Sequence, residues 1–495
     1  MCECEDDLRS SEEGQCMGIP PHLPLEVSPE EVRELGAAVV SRLAEFVAAV
    51  PRRPAGSAPD MAAVAELVAP FTGAPPEEGG DLSALLDRLC RAADLAMETA
   101  GPRVLAAIPG GGIYTSALAE FFTRTVNRFG GLAAAAPALT AMEESVLRWM
   151  AQDVCGLPAG SSGILTTGGS TANLSAVVTA RHIRLGESLE NGTLYVGAQT
   201  HHSVAKAARI AGIRERNIRV VPTTGRLHLD VAATAETIRR DRRDGLRPFL
   251  LVATAGTTDA GTIDPLPALA ALAEEENLWF HVDAAYGGFF RLTERGRRRL
   301  AGVERADSVT LDPHKTLFLP FGTGALVVRD PGALAAAHQG TGSVLQDVGS
   351  SDALPDYAYR GIELSRENRG TRVWLPLHLH GVAAFREALD EKLDLAEHAY
   401  EQLTGMPALD VPRRPELSTV TFRVRPRDAS PEAVEKADEA TRELPRHINA
   451  SGRVLIYSTV IEGRQAVRMC VVAYATHREH VDEALDEIAA AVAAL

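Results

Sequence analysis

The chain is short of paired cysteines, of positive charge and of long apolar runs, and each shortage closes off a class of function. Its six cysteines, at 2, 4, 16, 90, 155 and 470, lack both the two-pair spacing of a zinc module and the density of a disulfide scaffold. Against 66 Asp and Glu stand only 50 Lys and Arg. The net charge of −16 leaves no basic excess to neutralise a phosphate backbone, so no nucleic-acid partner is expected. No apolar run approaches the roughly 20 residues of a membrane span, and the start lacks the basic-then-apolar order of a signal peptide. A cytoplasmic protein without a membrane partner is the expectation.

What is present reads as an enzyme-sized globular chain. Its 495 residues, 45% hydrophobic and 23% charged, exceed what one small core organises. Residues 1–25 are acidic and rich in Ser, Gly and Pro, and are expected to be a mobile tail in which Cys2 and Cys4 hold no metal. Ser28-Pro29-Glu30-Glu31 then opens a helix as cap, first-turn proline and acidic first turn, with Val32, Leu35, Val39, Leu43 and Phe46 at helical spacing. A second helix, "DLSALLDRLCRAADLA", follows a Pro/Gly-rich linker. These helices are too few to make a core. From about 160, short β-rich runs alternate with helical ones, which predicts a largely parallel sheet covered on both faces. Past 376 the texture becomes that of a smaller α+β domain. The expected division is 1–25 tail, 26–100 helical segment, 101–375 large domain and 376–495 small domain.

Ligands of parallel sheets bind beyond the carboxyl ends of the strands, and four groups of residues fall there. Gly168-Gly169-Ser170-Thr171, before a helix expected to start near Ala172, offers backbone N–H groups, hydroxyls and a helix N-terminus to an anion; alone it reads equally as a plain turn. His201 or His202 sits between a strand and a helix, either as a flat face for stacking or as a simple cap. Asp283 ends the buried run "LWFHVD", where a carboxylate needs a partner or a local turn to cap. Lys315, in "DSVTLDPHKTLF", is either a solvated amine or a nucleophile. Together they form the set pyridoxal 5′-phosphate requires: an anion nest, a stacking ring, a carboxylate for the pyridine nitrogen and an amine for the Schiff base. "HLH" at 378–380 and the arginines of 295–299 read as ordinary helix and surface, so no metal is expected.

The motifs "GILTTGGSTANLSA", "HHSVAKAA", "GTTDAGTIDPL", "WFHVDAAYGG", "DSVTLDPHKTLF" and "SRENRGTRVWLPL" occur in this order. Over about 28–495 the chain thereby resembles the group II pyridoxal-phosphate-dependent amino-acid decarboxylases related to aromatic-L-amino-acid and glutamate decarboxylases. The resemblance implies an α/β type I PLP-dependent fold: a mostly parallel seven-stranded large domain, an N-terminal helical segment and a small C-terminal domain. It implies a homodimer with active sites at the interface, in which the opening helices pack on the partner. It also implies Lys315 as the Schiff-base lysine with His314 beside it, Asp283 at the pyridine nitrogen, Ala285 beneath the ring and His201 stacked above it. Gly169 and Ser170 would hold the phosphate with help from Asp312 and His314, and Thr257 would lie near the ring hydroxyl or Asp283. Pro109, Gly110 and Tyr114 match the segment lining the substrate pocket.

Two departures from the family pattern bear on the reaction. The mobile-loop tyrosine that the family often uses to return a proton to Cα falls near Ser343 or Val344, with Tyr357 and Tyr359 as the nearest alternatives. Relatives lacking it divert to oxidative deamination and an aldehyde product. Glycines 110–112 replace bulkier pocket residues, and nothing nearby supplies a cation for a second carboxylate. The expected reaction is decarboxylation of a neutral L-amino acid, aliphatic (valine, leucine or methionine) or aromatic, with aldehyde formation and then transamination as alternatives.

Overall fold

The computed structural model describes residues 25–56, 64–108, 110–340 and 353–494. The cysteine-bearing tail, Pro109, Ser343 and Val344 lie outside the described residues. The chain divides into two compact units, Met1–Arg53 with Ala58–Glu98, and Pro54–Ser57 with Thr99–Leu495. In the first, Ser28 and Glu31 form a reciprocal capping box at the start of helix Pro29–Ala49: Ser28 Oγ accepts the Glu31 N–H at 3.2 Å, and Glu31 Oε2 accepts the Ser28 N–H at 2.7 Å. Asp81 caps helix Leu82–Asp94. Neither helix contains a buried residue, so their apolar stripes stay open.

In the second unit a seven-stranded sheet comprises β1 (Ser162–Thr166), β2 (Gly192–Gly197), β3 (Ile218–Val221), β4 (Arg247–Thr254), β5 (Trp279–Asp283), β6 (Ser308–Leu311) and β7 (Gly324–Val328). Their order across the sheet is β1-β7-β6-β5-β4-β2-β3. Only β7 runs antiparallel to its neighbours. Phe249 through Ala253 of β4 are wholly buried, as expected of a strand covered on both faces. Thr254, Asp283 and Thr310 lie level at the ends of β4, β5 and β6. An antiparallel second sheet is built from β8 (Leu409–Asp410), β9 (Thr419–Val424), β10 (Tyr457–Ile461) and β11 (Arg464–Cys470).

Three local features differ from the sequence expectation. The helix after β1 runs Gly169–Leu185, starting before Ala172, because the Thr171 and Ala172 N–H groups already reach Gly168 O at 3.1 Å. Helices Tyr114–Val126 and Pro137–Arg148 escape the periodicity, the latter because Thr140, Glu143 and Glu144 are buried where apolar residues would mark a face. Helix Thr371–Thr404 crosses the expected 375/376 boundary and kinks at Gly381, whose φ of 76° favours glycine. Its Phe385, Leu389 and Leu393 belong to the core of the large sheet, and Leu395, Ala396, Ala399 and Leu403 to that of the small one.

The arginine-rich segment before this helix is clamped to helix Pro137–Arg148. Arg366 meets Glu143 at 2.6 Å with both side chains at 0% exposure, and its guanidinium lies 4.7 Å over the Tyr357 ring. Glu143 Oε2 also accepts the N–H groups of Arg369 and Gly370. Removing one partner strands a buried charge, so Arg366→Met should cost about 3–5 kcal/mol. Chemical denaturation of the cofactor-free protein measures the loss, and Glu143→Gln combined with Arg366→Met should recover part of it.

Candidate active site

At the carboxyl ends of β4, β5 and β6 lies a cavity of about 290 Å³. Gly169, Ser170, His201, Asp283, Ala285, Asp312, His314 and Lys315 all line it, so residues spread over 147 positions converge on one rim. His201 is the N-cap of helix His202–Ile210 and turns inward, whereas His202 is exposed and outside the wall. Burial lowers the His201 pKa below its ordinary value, opposed by the charge of Asp283. Asp283 Oδ1 accepts the Ala285 N–H at 3.2 Å, and Oδ2 accepts an amide hydrogen of Asn173 at 2.9 Å.

Lys315 Nζ lies 3.0 Å from Asp312 Oδ2, while Asp312 Oδ1 is buried with no hydrogen-bond partner among the described residues. His314 is tethered through Nδ1 to Thr323 O at 2.7 Å, which leaves Nε2 3.6 Å from Asp312. Gly169 lies so close to this group that a Cβ there would sit 2.8 Å from Asp312 Oδ2. The N–H groups of the first helical turn, at Gly169 and Ser170, have no acceptor within the helix and are available to an anion.

Several expected residues stand elsewhere. Thr257 is buried and exchanges hydrogen bonds with Thr262, closing its own turn; Gly256 and Thr258 flank it in the wall, and Thr254 is the strand-end threonine there. Gly110 presses on the outside of the lysine turn, where a Cβ would meet Lys315 O at 2.3 Å. Tyr114 lines a separate apolar cavity of about 370 Å³ with Ile113, Phe318, Phe385 and Tyr474. Tyr357 is fully buried, with its hydroxyl donating to Glu144 Oε2 at 3.2 Å, so it is not available to return a proton at this cavity. Tyr359 is not in the wall either. Conversely, Asn173, Ser203 and Tyr286 line the cavity without having been singled out. Asn173 lies one helical turn beyond Gly169, an i, i+4 relation that places both on one face.

Residues 73–425 match the family model described as the pyridoxal-dependent decarboxylase conserved domain. The chain belongs to this family. An aromatic-L-amino-acid decarboxylase from Bacillus atrophaeus is 31% identical over 94% of this chain and 96% of its own. A phenylacetaldehyde synthase from Petunia hybrida is 32% identical over 77% of this chain and 79% of its own. Among solved structures, Oryza sativa TDC with PLP and tryptamine superposes with a TM-score of 0.88 at 28% identity, covering 95% of this chain and 99% of that one.

The pyridoxal-dependent decarboxylases use pyridoxal 5′-phosphate, and the cavity fits it. A side-chain-free approach at Gly169, an amine at Lys315 and buried carboxylates at Asp283 and Asp312 match its phosphate, aldehyde and ring nitrogen in kind. Gly169→Val should therefore weaken pyridoxal phosphate binding by at least about tenfold, the scale of one lost charge-assisted hydrogen bond, in an absorbance titration. The melting temperature of the cofactor-free protein serves as the control.

Behind Asp283, His281 is fully buried, and burial pushes its pKa down to about 4. A folded-state pKa below the ordinary 6.5 means that the stability it carries is complete above pH 6.5 and is lost as pH falls towards 4. His281→Asn should flatten that part of the stability profile, measured by denaturant titration at each pH.

Proposed function

We propose that this pyridoxal-phosphate-dependent amino-acid decarboxylase releases carbon dioxide and the corresponding amine from a neutral L-amino acid, with Lys315 as the covalent attachment point of the cofactor. The observation that carries the reading is the makeup of the cavity wall. Lys315 is its only Lys or Arg among the described residues, so a second substrate carboxylate would find no free cation. Among neutral substrates an aromatic one ranks first, supported by the names of the relatives. Valine, leucine and methionine follow, as the aliphatic members of the same neutral class.

In this reading the Gly169 and Ser170 N–H groups would bind the phosphate, His201 and Ala285 would flank the ring, and Asp283 would keep a proton on the ring nitrogen. Pyridoxal phosphate, when bound, supplies the sink for the electron pair left behind as carbon dioxide departs. Lys315 Nζ is paired with Asp312 Oδ2 at 3.0 Å, and His314 is held beside it through Thr323. The same reading makes the protein a homodimer in which the helical segment 26–100 packs on the partner. Support comes from helices Pro29–Ala49 and Leu82–Asp94, which bury none of their own residues.

A second reading, aldehyde formation with oxygen uptake and release of ammonia and peroxide, draws on one observation. The sequence has no tyrosine between Tyr286 and Tyr357, and the hydroxyl of Tyr357 is spent in the core. Incubation with each of the twenty amino acids, scoring carbon dioxide, amine and oxygen consumption, separates the two. Amine without oxygen uptake is expected from a neutral substrate, and absence of product from all twenty overturns both. Borohydride reduction followed by peptide mapping should mark Lys315, and Lys315→Ala should abolish turnover.

A further inference from the structure

Among the described residues, the Asp283 carboxylate is held by neutral donors and not by an arginine. Its main side-chain tether, Asn173, is 1% exposed and uses every hydrogen-bonding position it has. A carboxylate oxygen only accepts, so Asn173 turns Nδ2 towards Asp283 and Oδ1 the opposite way. The second Nδ2 hydrogen goes to Ser203 Oγ at 2.9 Å. Oδ1 accepts from Thr310 Oγ1 at 2.7 Å and from His281 Nε2 at 3.1 Å.

Those directions propagate both ways. An amide oxygen cannot donate, so His281 carries its hydrogen on Nε2. The ring is neutral, with its pKa pushed down to about 4 by burial, and its Nδ1 therefore accepts the Ser308 hydroxyl at 2.8 Å. Ser308 Oγ in turn accepts the Trp279 indole N–H at 2.8 Å, a group that only donates. On the other side Ser203 Oγ, having accepted from Asn173, gives its own hydrogen to His201 Nδ1 at 2.8 Å. The Ser203 backbone N–H also donates to that nitrogen, at 3.3 Å. With Nδ1 taken as an acceptor, the hydrogen of neutral His201 is on Nε2.

We propose that Asn173 is the positioning residue of this site: it fixes the orientation of the Asp283 carboxylate and, by directing the Ser203 hydroxyl onto Nδ1, reinforces the Nε2–H tautomer of His201 that the Ser203 backbone N–H already favours. A neutral amide does this without sharing the carboxylate's charge, which an arginine tether would neutralise before a ring N–H could use it. The Asp283 half rests on the role given to Asp283 above; the His201 half does not.

The test uses the full-length chain with ¹⁵N-labelled histidine. The His201 tautomer is read by NMR in the cofactor-free protein, and pyridoxal phosphate affinity by absorbance titration. The wild type should show a protonated Nε2 and an unprotonated Nδ1. Ser203→Ala removes the hydroxyl and keeps the backbone N–H on Nδ1, so it should lower the Nε2–H share without inverting it. Asn173→Ala should lower the Nε2–H share, by freeing the Ser203 hydroxyl to turn, and also weaken the cofactor by about tenfold or more, the loss expected for a hydrogen bond to a charged group. If Asn173→Ala does not fold, the similarly sized Asn173→Leu, which fills the space and removes both donor and acceptor, should move both readouts. A wild-type hydrogen on Nδ1, or an unchanged tautomer and affinity in the Asn173 variant, overturns the proposal. A wild type that binds no pyridoxal phosphate defeats the functional reading instead, and the tautomer measurement still stands.

Discussion

A negative charge at the end of a strand covered on both faces has no water to solvate it, and most of this site is arranged around that cost. Asp283 meets it with the Ala285 N–H and the Asn173 amide, both neutral, so the charge is stabilised without being cancelled. Asn173 must then be fixed from behind, which draws in His281 and Trp279 from β5 and Thr310 and Ser308 from the adjacent β6. The parallel arrangement makes this possible, because it brings the ends of β4, β5 and β6 level and covers them with the helix that carries Asn173. Charge on the other side of the cavity follows a different rule. Lys315 and Asp312 satisfy one another directly at 3.0 Å, with one oxygen of Asp312 left over in the interior.

The residues legible from sequence are those whose position along a strand carries information. Asp283, Lys315 and His201 each follow an apolar run, and beyond the end of a parallel strand is where a ligand site opens. Thr257 misled for a related reason. It belongs to the turn after the strand, where a threonine can close the turn on itself, and the strand-end residue facing the cavity is Thr254. Asn173 was hidden because a lone asparagine inside a helix looks like any polar position. Its partners lie about 30 to 137 residues away and become visible only once the sheet is assembled.

The fold itself was largely readable from alternating strand and helix patterns, including the change of texture towards the small sheet. Helices Tyr114–Val126 and Pro137–Arg148 show the limit of that signal. Helix Pro137–Arg148 buries Glu143 and Glu144, each paired with arginines from the segment ahead of helix Thr371–Thr404 or with neighbours on its own turn. Acidic residues in a helix suggest solvent, and only the distant arginines reveal that they face inward. The same pairing explains why Tyr357, attractive by its place in the sequence, is tied into the interior: its ring lies under Arg366 and its hydroxyl on Glu144.

Helix Thr371–Thr404 reaches both hydrophobic cores, as β11 does with Cys470 in one and Val467 and Met469 in the other. Past its bend at Gly381 the helix sends Phe385, Leu389 and Leu393 into one and Leu395, Ala396, Ala399 and Leu403 into the other, with no break between them. It acts as an axle seated in two bearings. A hinge-like swing of the small sheet away from the large one would have to tear that seating apart, so traffic into the lysine cavity is left to side chains and surface segments, with both sheets held as a single frame.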